Sequence, residues 1–570
     1  MRSPLLAAIL ALSVVLAAAI AGFLLIRGVG QSSPLDCLPQ ETRLFFRAPD
    51  PTRLWRAVGR TSLGDPSSPA RDFLGDLMAR HLESHGLSQI PVATGNREWM
   101  AGESVLALIE SEGSAGIEPA LIVATRHTGG QTLDQVRTLL TSAAPDPASA
   151  VPTPRRHRAR EYLELRAVPT SPPVFLAAHK GVVILSSDGA TMRRILETID
   201  GKAEPLRSSP AYRAVMDTTA RRADLSAYFS GAWLRQAIEA RLGAGAGRRT
   251  ARALGLRAVR SAGVAVNIRG QLFHETLRVS LEPGSSSLVA QLFDEAPRAP
   301  RPLKHLTPGF PYYMALSTSN LNAAYRTLPD LLAGASDPER TAIRERIRGA
   351  EEFMELDLGR DLFGAIGGEM AIGFGSASVY PRGASNRALY NTPGMASLSL
   401  RDRGAVTRIM GRIDGLARAL DGYQTSLHGD QEMTSYEFTT LAPMRPSYVF
   451  KGRYLIAATS PDLFKTPAQV PQEVARCLDL LPRKIHLLLV ADTSRLMDRV
   501  ASPLSPEVWV MIPEPLRSRL AGLALRRDLH PTAAAGRLKG GVMTVESVSP
   551  ASAALLGALL IPSRAQEPGN

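Results

Sequence analysis

Two cysteines in 570 residues, Cys37 and Cys477, are too few for a disulfide framework or a cysteine-ligated metal cluster. Aromatic residues make up only 5% of the chain, so any core is built mainly from Leu, Ala, Val and Ile. Lysine is scarce too: seven (180, 202, 304, 451, 465, 484, 539) among 66 Lys and Arg, leaving 59 arginines. Several chemical signatures are missing. There is no G-x-x-x-x-G-K-[ST] phosphate loop, no G-x-S-x-G elbow and no His/Cys constellation for nucleophilic catalysis. Gly243-Ala-Gly245-Ala-Gly247 follows a helical stretch rather than a strand and lacks the dinucleotide fingerprint. These absences weigh against an enzyme, and no cofactor is expected.

What is present describes a folded, basic protein. Hydrophobic content is 45%, mean hydropathy is −0.03 and net charge is +13. A positive field of that size attracts anionic lipid head groups or acidic polymers. Its clusters, Arg155-Arg156-His157-Arg158-Arg160 and Arg248-Arg249-Arg252, lack the interleaved aromatics of a single-strand nucleic-acid surface. They read as solvated basic loops, and no nucleic-acid partner is expected.

Pro4–Ile26 is an apolar run between Arg2 and Arg27. A membrane span needs about 20 residues, whereas the apolar part of a cleaved signal is only about 7–15. The run therefore predicts an uncleaved single-pass anchor in the cytoplasmic (inner) membrane, with Ala19-Ile20-Ala21 leaving cleavage open. The charge at the amino end places the N-terminus inside and the bulk of the chain in the periplasm or extracytoplasmic space. In that compartment Cys37 and Cys477 either form one bridge closing a very long loop or remain two unpaired thiols.

The stretch Leu38–Val58 reads as a turn proline, an apolar strand at Leu44-Phe45-Phe46, a Pro/Asp turn and an amphipathic helix with Leu54, Trp55 and Val58. Leu481–Val500 repeats that grammar closely; Ala223–Ile238 and Leu306–Tyr325 repeat it loosely. Pro39/Pro308, Ser68-Pro69/Asp337-Pro338, Gly102-Glu103/Gly368-Glu369, Gly181/Gly452 and Pro283/Pro550 keep an offset between 266 and 271 residues (369 − 103 = 266; 452 − 181 = 271). The chain thus reads as one module written twice. The expected organisation is an anchor and tether over 1–36, lobe 1 over 37–297, a low-order linker at 298–305 beside a cleft, lobe 2 over 306–562 and a disordered tail over 563–570. Helices alternate with hairpins, which predicts an α+β fold of two tandem antiparallel-sheet-plus-helix lobes. Ala551–Ile561 is too short to span a membrane and reads as a domain helix.

The Leu-Pro start, the strand with an aspartate turn into a helix, the mid-copy Gly-Glu, and the run Glu355-Leu-Asp-Leu-Gly-Arg-Asp-Leu-Phe together resemble domain-of-unknown-function family 3352. The resemblance spans roughly residues 35–550. It implies an N-terminal anchor and a large extracytoplasmic part, and no activity. Copy one lacks the Asp-Leu-Gly-Arg-Asp run before Gly102.

Three sets of residues carry candidate chemistry. Glu103 and Glu369 are acids placed alike in both copies. As a functional pair they are a carboxylate dyad across a pseudo-twofold axis, the weak candidate for a hydrolase; as structure they accept hydrogen bonds at a turn. His81 and His85 stand at i and i+4, a zinc spacing, but without a third ligand or the H-E-x-x-H pattern. Histidines in a last helical turn before Gly86 are equally explained by the helix dipole. Cys37 and Cys477 complete the set. The reading that fits best is a non-catalytic binding or scaffolding module with an envelope-protein or lipid partner. An enzyme of unknown class and a binder of anionic lipid or polymer are the alternatives.

Overall fold

The computed structural model describes residues 33–61, 102–110, 120–126, 153–165, 173–217, 222–242, 258–282, 288–293, 296–318, 320–322, 325–326, 337–375, 393–419, 423–428, 431–436, 445–493, 529–550 and 552. Within them the protein is α+β, a twenty-stranded sheet with helices. The first ten strands are β1 (Thr42–Ala48), β2 (Ser104–Ile109), β3 (Ala120–Arg126), β4 (Thr153–His157), β5 (Arg160–Leu165), β6 (Val174–His179), β7 (Val182–Ser186), β8 (Leu225–Ser230), β9 (Val259–Arg269) and β10 (Leu272–Leu281). The second ten are β11 (Tyr312–Ser317), β12 (Ile366–Phe374), β13 (Gly394–Leu400), β14 (Tyr423–His428), β15 (Gln431–Tyr436), β16 (Ser447–Lys451), β17 (Tyr454–Ala458), β18 (Leu487–Ala491), β19 (Thr532–Lys539) and β20 (Val542–Ser549).

Every described pairing is antiparallel. From edge to edge the order is β4-β5-β6-β7-β3-β2-β1-β8-β9-β10-β20-β19-β18-β11-β12-β13-β17-β16-β15-β14. The list is a palindrome: adding ten to each label of one half gives the other half in reverse. The seam is β10–β20, paired from Phe273↔Ser549 to Ser280↔Val542. Thr276 faces Glu546 there, flanked by Glu275↔Ser547 and Leu277↔Val545. The hairpins on either side turn at Gly270-Gln271 and Gly540-Gly541, the same distance apart as the facing pair (540 − 270 = 546 − 276 = 270). A pseudo-twofold axis therefore runs through the Thr276–Glu546 pair.

Strand alternation decides what lies on each face. β2 and β11 alternate between partly exposed and buried positions along their length, as a two-faced strand must. On one face, Phe45, Ile122, Ile184 and Tyr228 join a core with Met192, Ile195 and Leu196 of helix α2 (Gly189–Ile199) and Val215 and Met216 of α3 (Pro210–Met216). α1 is Pro51–Val58, which follows β1. Phe229, one residue on from Tyr228, points to the opposite face and stacks on Trp233 of α4 (Gly231–Leu242) at 5.5 Å. The second half has its own core, with Tyr313, Met395, Ile456, Leu488 and Val490. Burying each such large side chain contributes about 1.5–3 kcal/mol, so each half carries its own stabilisation.

Several expectations need correction. Among the described residues the two halves join strand to strand, where the edges of β10 and β20 satisfy one another's backbone groups. The expected low-order linker folds as a 3-10 turn, Arg301–His305, with Leu303 and Leu306 in the second core and Arg298 bridged to Ile485. The expected basic loop at Arg155–Arg160 is the β4–β5 hairpin, three of whose arginines are paired with acids: Arg155 with Glu164, Arg158 with Glu197, Arg160 with Asp200. The Lys-Gly turns are one residue out of step. His179 faces Val182 and Lys451 faces Tyr454, so the turn residues are Lys180-Gly181 and Gly452-Arg453. Lys180 and Gly181 both have positive φ, whereas in the other turn Gly452 does, two solutions to the same hairpin closure. Pro283 and Pro550 stand three positions out of the 270-residue frame of the seam (550 − 283 = 267). Among the described residues no helix is long and apolar enough to cross a membrane. Pro4–Ile26, the tail 563–570 and most of Ala551–Ile561 lie outside those residues.

Candidate functional site

Glu103 and Glu369 occupy equivalent places, at the start of β2 and in β12. The glycine before each is set by close backbone approach rather than by φ. A Cβ on Gly102 would stand 1.9 Å from the Arg126 carbonyl oxygen, and one on Gly368 2.2 Å from that of Thr318. In both cases the neighbouring chain is tied on: the Arg126 N–H donates to the Glu103 carbonyl and the Thr318 N–H to the Gly368 carbonyl, each at 2.7 Å.

The two carboxylates differ in their surroundings. Glu103 is 6% exposed; it accepts from Arg47 Nε and from Ser33 Oγ, both at 2.7 Å, with Arg126 Nη1 at 3.8 Å. Glu369 is 5% exposed and accepts from Arg453 Nη2 at 3.1 Å, an arginine whose side chain is 56% exposed. The Glu369 N–H donates to Ser399 Oγ at 3.0 Å. Eight strands lie between β2 and β12, so along the sheet the acids are nine strand spacings apart, about 43 Å. Paired catalytic carboxylates stand within about 5–10 Å. Each acid is held by arginine of its own half: Glu103 by Arg47 and Arg126, Glu369 by Arg453.

Cys37 and Cys477 are free, buried thiols in separate cores, so the bridge is not formed. Burial, with Asp36 adding to it, pushes the Cys37 thiol up to about 12 against the pull of Arg160 and Arg207, which makes it unreactive. His81 and His85 lie outside the described residues. Among the described residues no group of three or more His, Cys, Asp or Glu could hold a metal ion.

The structure brings together residues the sequence did not single out. A recess of about 370 Å³ beside α1 is lined by Pro49, Asp50, Arg53, Arg222, Ala223 and Asp224. It forms because the end of β1 runs beside the start of β8, so two copies of the strand–helix motif meet. Asp224 has a structural task in it: its carboxylate accepts from the Ile268 N–H at 2.9 Å while its own N–H donates to the Val266 carbonyl. His486 does the same in the second half. Its N–H donates to the Gly536 carbonyl, and its Nδ1 accepts from the Leu538 N–H at 3.0 Å, which puts the ring proton on Nε2. A second equivalence precedes β1 and β11. Pro34-Leu35-Asp36-Cys37-Leu38 and Pro302-Leu303-Lys304-His305-Leu306 share three residues at one offset (306 − 38 = 268) and both form 3-10 turns. That second match was readable as spacing; the Asp224/His486 match was not, because the residue type changes.

No protein-family profile matches the chain, and no curated protein matches it. Among solved structures, crystal forms III, I and IV of TP0453 are similar at 10% identity, with TM-scores of 0.25, 0.25 and 0.26. They cover 47%, 46% and 44% of this chain and 89%, 83% and 82% of their own.

Proposed function

We propose that this is a single-pass envelope protein of the family-3352 type, anchored in the inner membrane by Pro4–Ile26. Its two tandem copies of one α+β lobe act as a non-catalytic binding or scaffolding surface outside the cytoplasm. The palindromic sheet carries this reading: two ten-stranded units share one continuous β-ladder, a wide platform rather than a hinged pair around a substrate. The equivalent glutamates support it, because each is already held by arginine of its own half. Fractionation of cells expressing the full chain tests the location. Complementation of a deletion strain by Glu103→Gln/Glu369→Gln tests the chemistry. Membrane retention and full complementation are expected; loss of activity with retained folding would restore the hydrolase.

A further inference from the structure

Beside the turn between β16 and β17, Lys304 and Lys451 have no acid partner among the described residues, while Arg453 pairs with Glu369; the matching place in the first half differs. There, Arg207 pairs with Asp36 and Arg160 with Asp200 around the buried Cys37. In the second half Lys304 replaces Asp36 and His305 replaces Cys37. Lys304, Lys451, Arg453 and Arg403 are all exposed around this turn. Three contacts hold the group together. Lys304 Nζ lies 6.0 Å and the Arg453 guanidinium 5.4 Å from the centre of the Tyr454 ring, and Arg403 Nη1 donates to the Gly452 carbonyl at 3.2 Å. The acids nearby are already engaged: Glu369 accepts from Arg453, and Asp402 accepts from the Ala405 N–H at the start of α7, which follows α5 (Leu288–Leu292) and α6 (Asp337–Met354) in the chain and spans Arg403–Ala419.

A second, independent feature lies underneath. His305 is 7% exposed, its ring stands 4.4 Å from that of Tyr454, and its Nε2 has no hydrogen-bond partner among the described residues. An orphaned polar atom in a buried site costs free energy unless something completes it. Gly452 has φ +58 and open space where a side chain would be, so a ligand can approach the turn backbone closely.

We propose that Lys304, Lys451, Arg453 and the Gly452 backbone, over the His305–Tyr454 pair, form a binding site for a phosphate group. Phosphate suits several cations placed around one turn better than a carboxylate does, because it presents more acceptor oxygens to separate donors. Burial first, then the field of Lys304 and Lys451, holds His305 neutral, and an anion there would oppose that field. The inference goes beyond the scaffolding role and does not rest on it.

The test is calorimetric titration of the detergent-solubilised full chain with inorganic phosphate at low ionic strength. Saturable binding is expected, weakened roughly tenfold or more by Lys304→Asp and by Lys451→Asp, since each substitution replaces a charge-assisted contact with repulsion. Lys180→Asp, in the matching first-half turn, should leave it unchanged. Competition by phosphatidylglycerol nanodiscs, but not by phosphatidylcholine ones, assigns the group to a lipid headgroup. Phosphate binding without such competition assigns it to a soluble or polymeric anion, and both results support the site. Equal affinity in wild type, Lys304→Asp and Lys451→Asp, or no saturable binding, overturns it.

Discussion

The two halves of the sheet share ten strands, their order and a common seam, yet differ at the places that carry charge. In the first half Glu103 is enclosed by Arg47, Arg126 and Ser33; in the second Glu369 meets an arginine that is mostly in solvent. Asp224 and His486 take the same backbone N–H with different chemistry. Cys37 sits in an apolar core where His305 lies against Tyr454. Hydrogen-bonded topology is the same in both halves while electrostatics differ. At the place before the first strand, Asp36 in the first half pairs with Arg207, whereas Lys304 in the second faces outward.

The largest test of this comparison is to break the seam. Leu277→Pro removes a ladder hydrogen bond in a central strand and should cost about 3 kcal/mol or more. Because each half has its own core, scanning calorimetry should then resolve two transitions. A single transition would mean that the halves do not fold as separate units.

Next come the glutamates. Removing one partner of a buried ion pair costs about 3–5 kcal/mol, whereas a pair with one solvent-exposed member is worth about 0–1. Glu103→Ala should therefore destabilise by about 3 kcal/mol and Glu369→Ala by about 1, measured by urea unfolding. Equal losses would contradict the contrast between enclosed and exposed arginines.

The smallest effect concerns acid. Burial, then Lys304 and Lys451, brings His305 from its ordinary 6.5 down to about 4. Burial, then Arg160 and Lys180, does the same to His179 against Asp200. Below about 6.5 the unfolded chain binds these protons and the folded chain does not. Their contribution is thus fully present above that value and is lost as pH falls through about 4. Stability measured from pH 7 to 4 should decline less steeply in His305→Gln than in wild type. An unchanged slope would show that His305 is not buried neutral.

Much of this architecture was legible from spacing. Pro/Gly turns around alternating apolar runs located β1, β6, β7, β16 and β17, and the offset of Gly102-Glu103 from Gly368-Glu369 located equivalent strands. The β4–β5 hairpin was hidden because its exposed face is arginine, which lacks the apolar alternation that marks a strand. The linker was misread because Pro and Arg mark loops, yet Leu303 and Leu306 between them are core residues. Symmetry fixes equivalence, not proximity, and only the pairing order shows eight strands between the two acids.

The claim on which all of this depends is that β10 and β20 join equivalent halves with Thr276 opposite Glu546. Facing residues in an antiparallel pair have Cα atoms about 4.5–5.5 Å apart, within disulfide range. Thr276→Cys/Glu546→Cys in the full chain, under mild oxidation, should form an intramolecular bridge, read as a reductant-sensitive gain in gel mobility. Absence of that bridge in the folded protein would contradict the seam and, with it, the twofold arrangement.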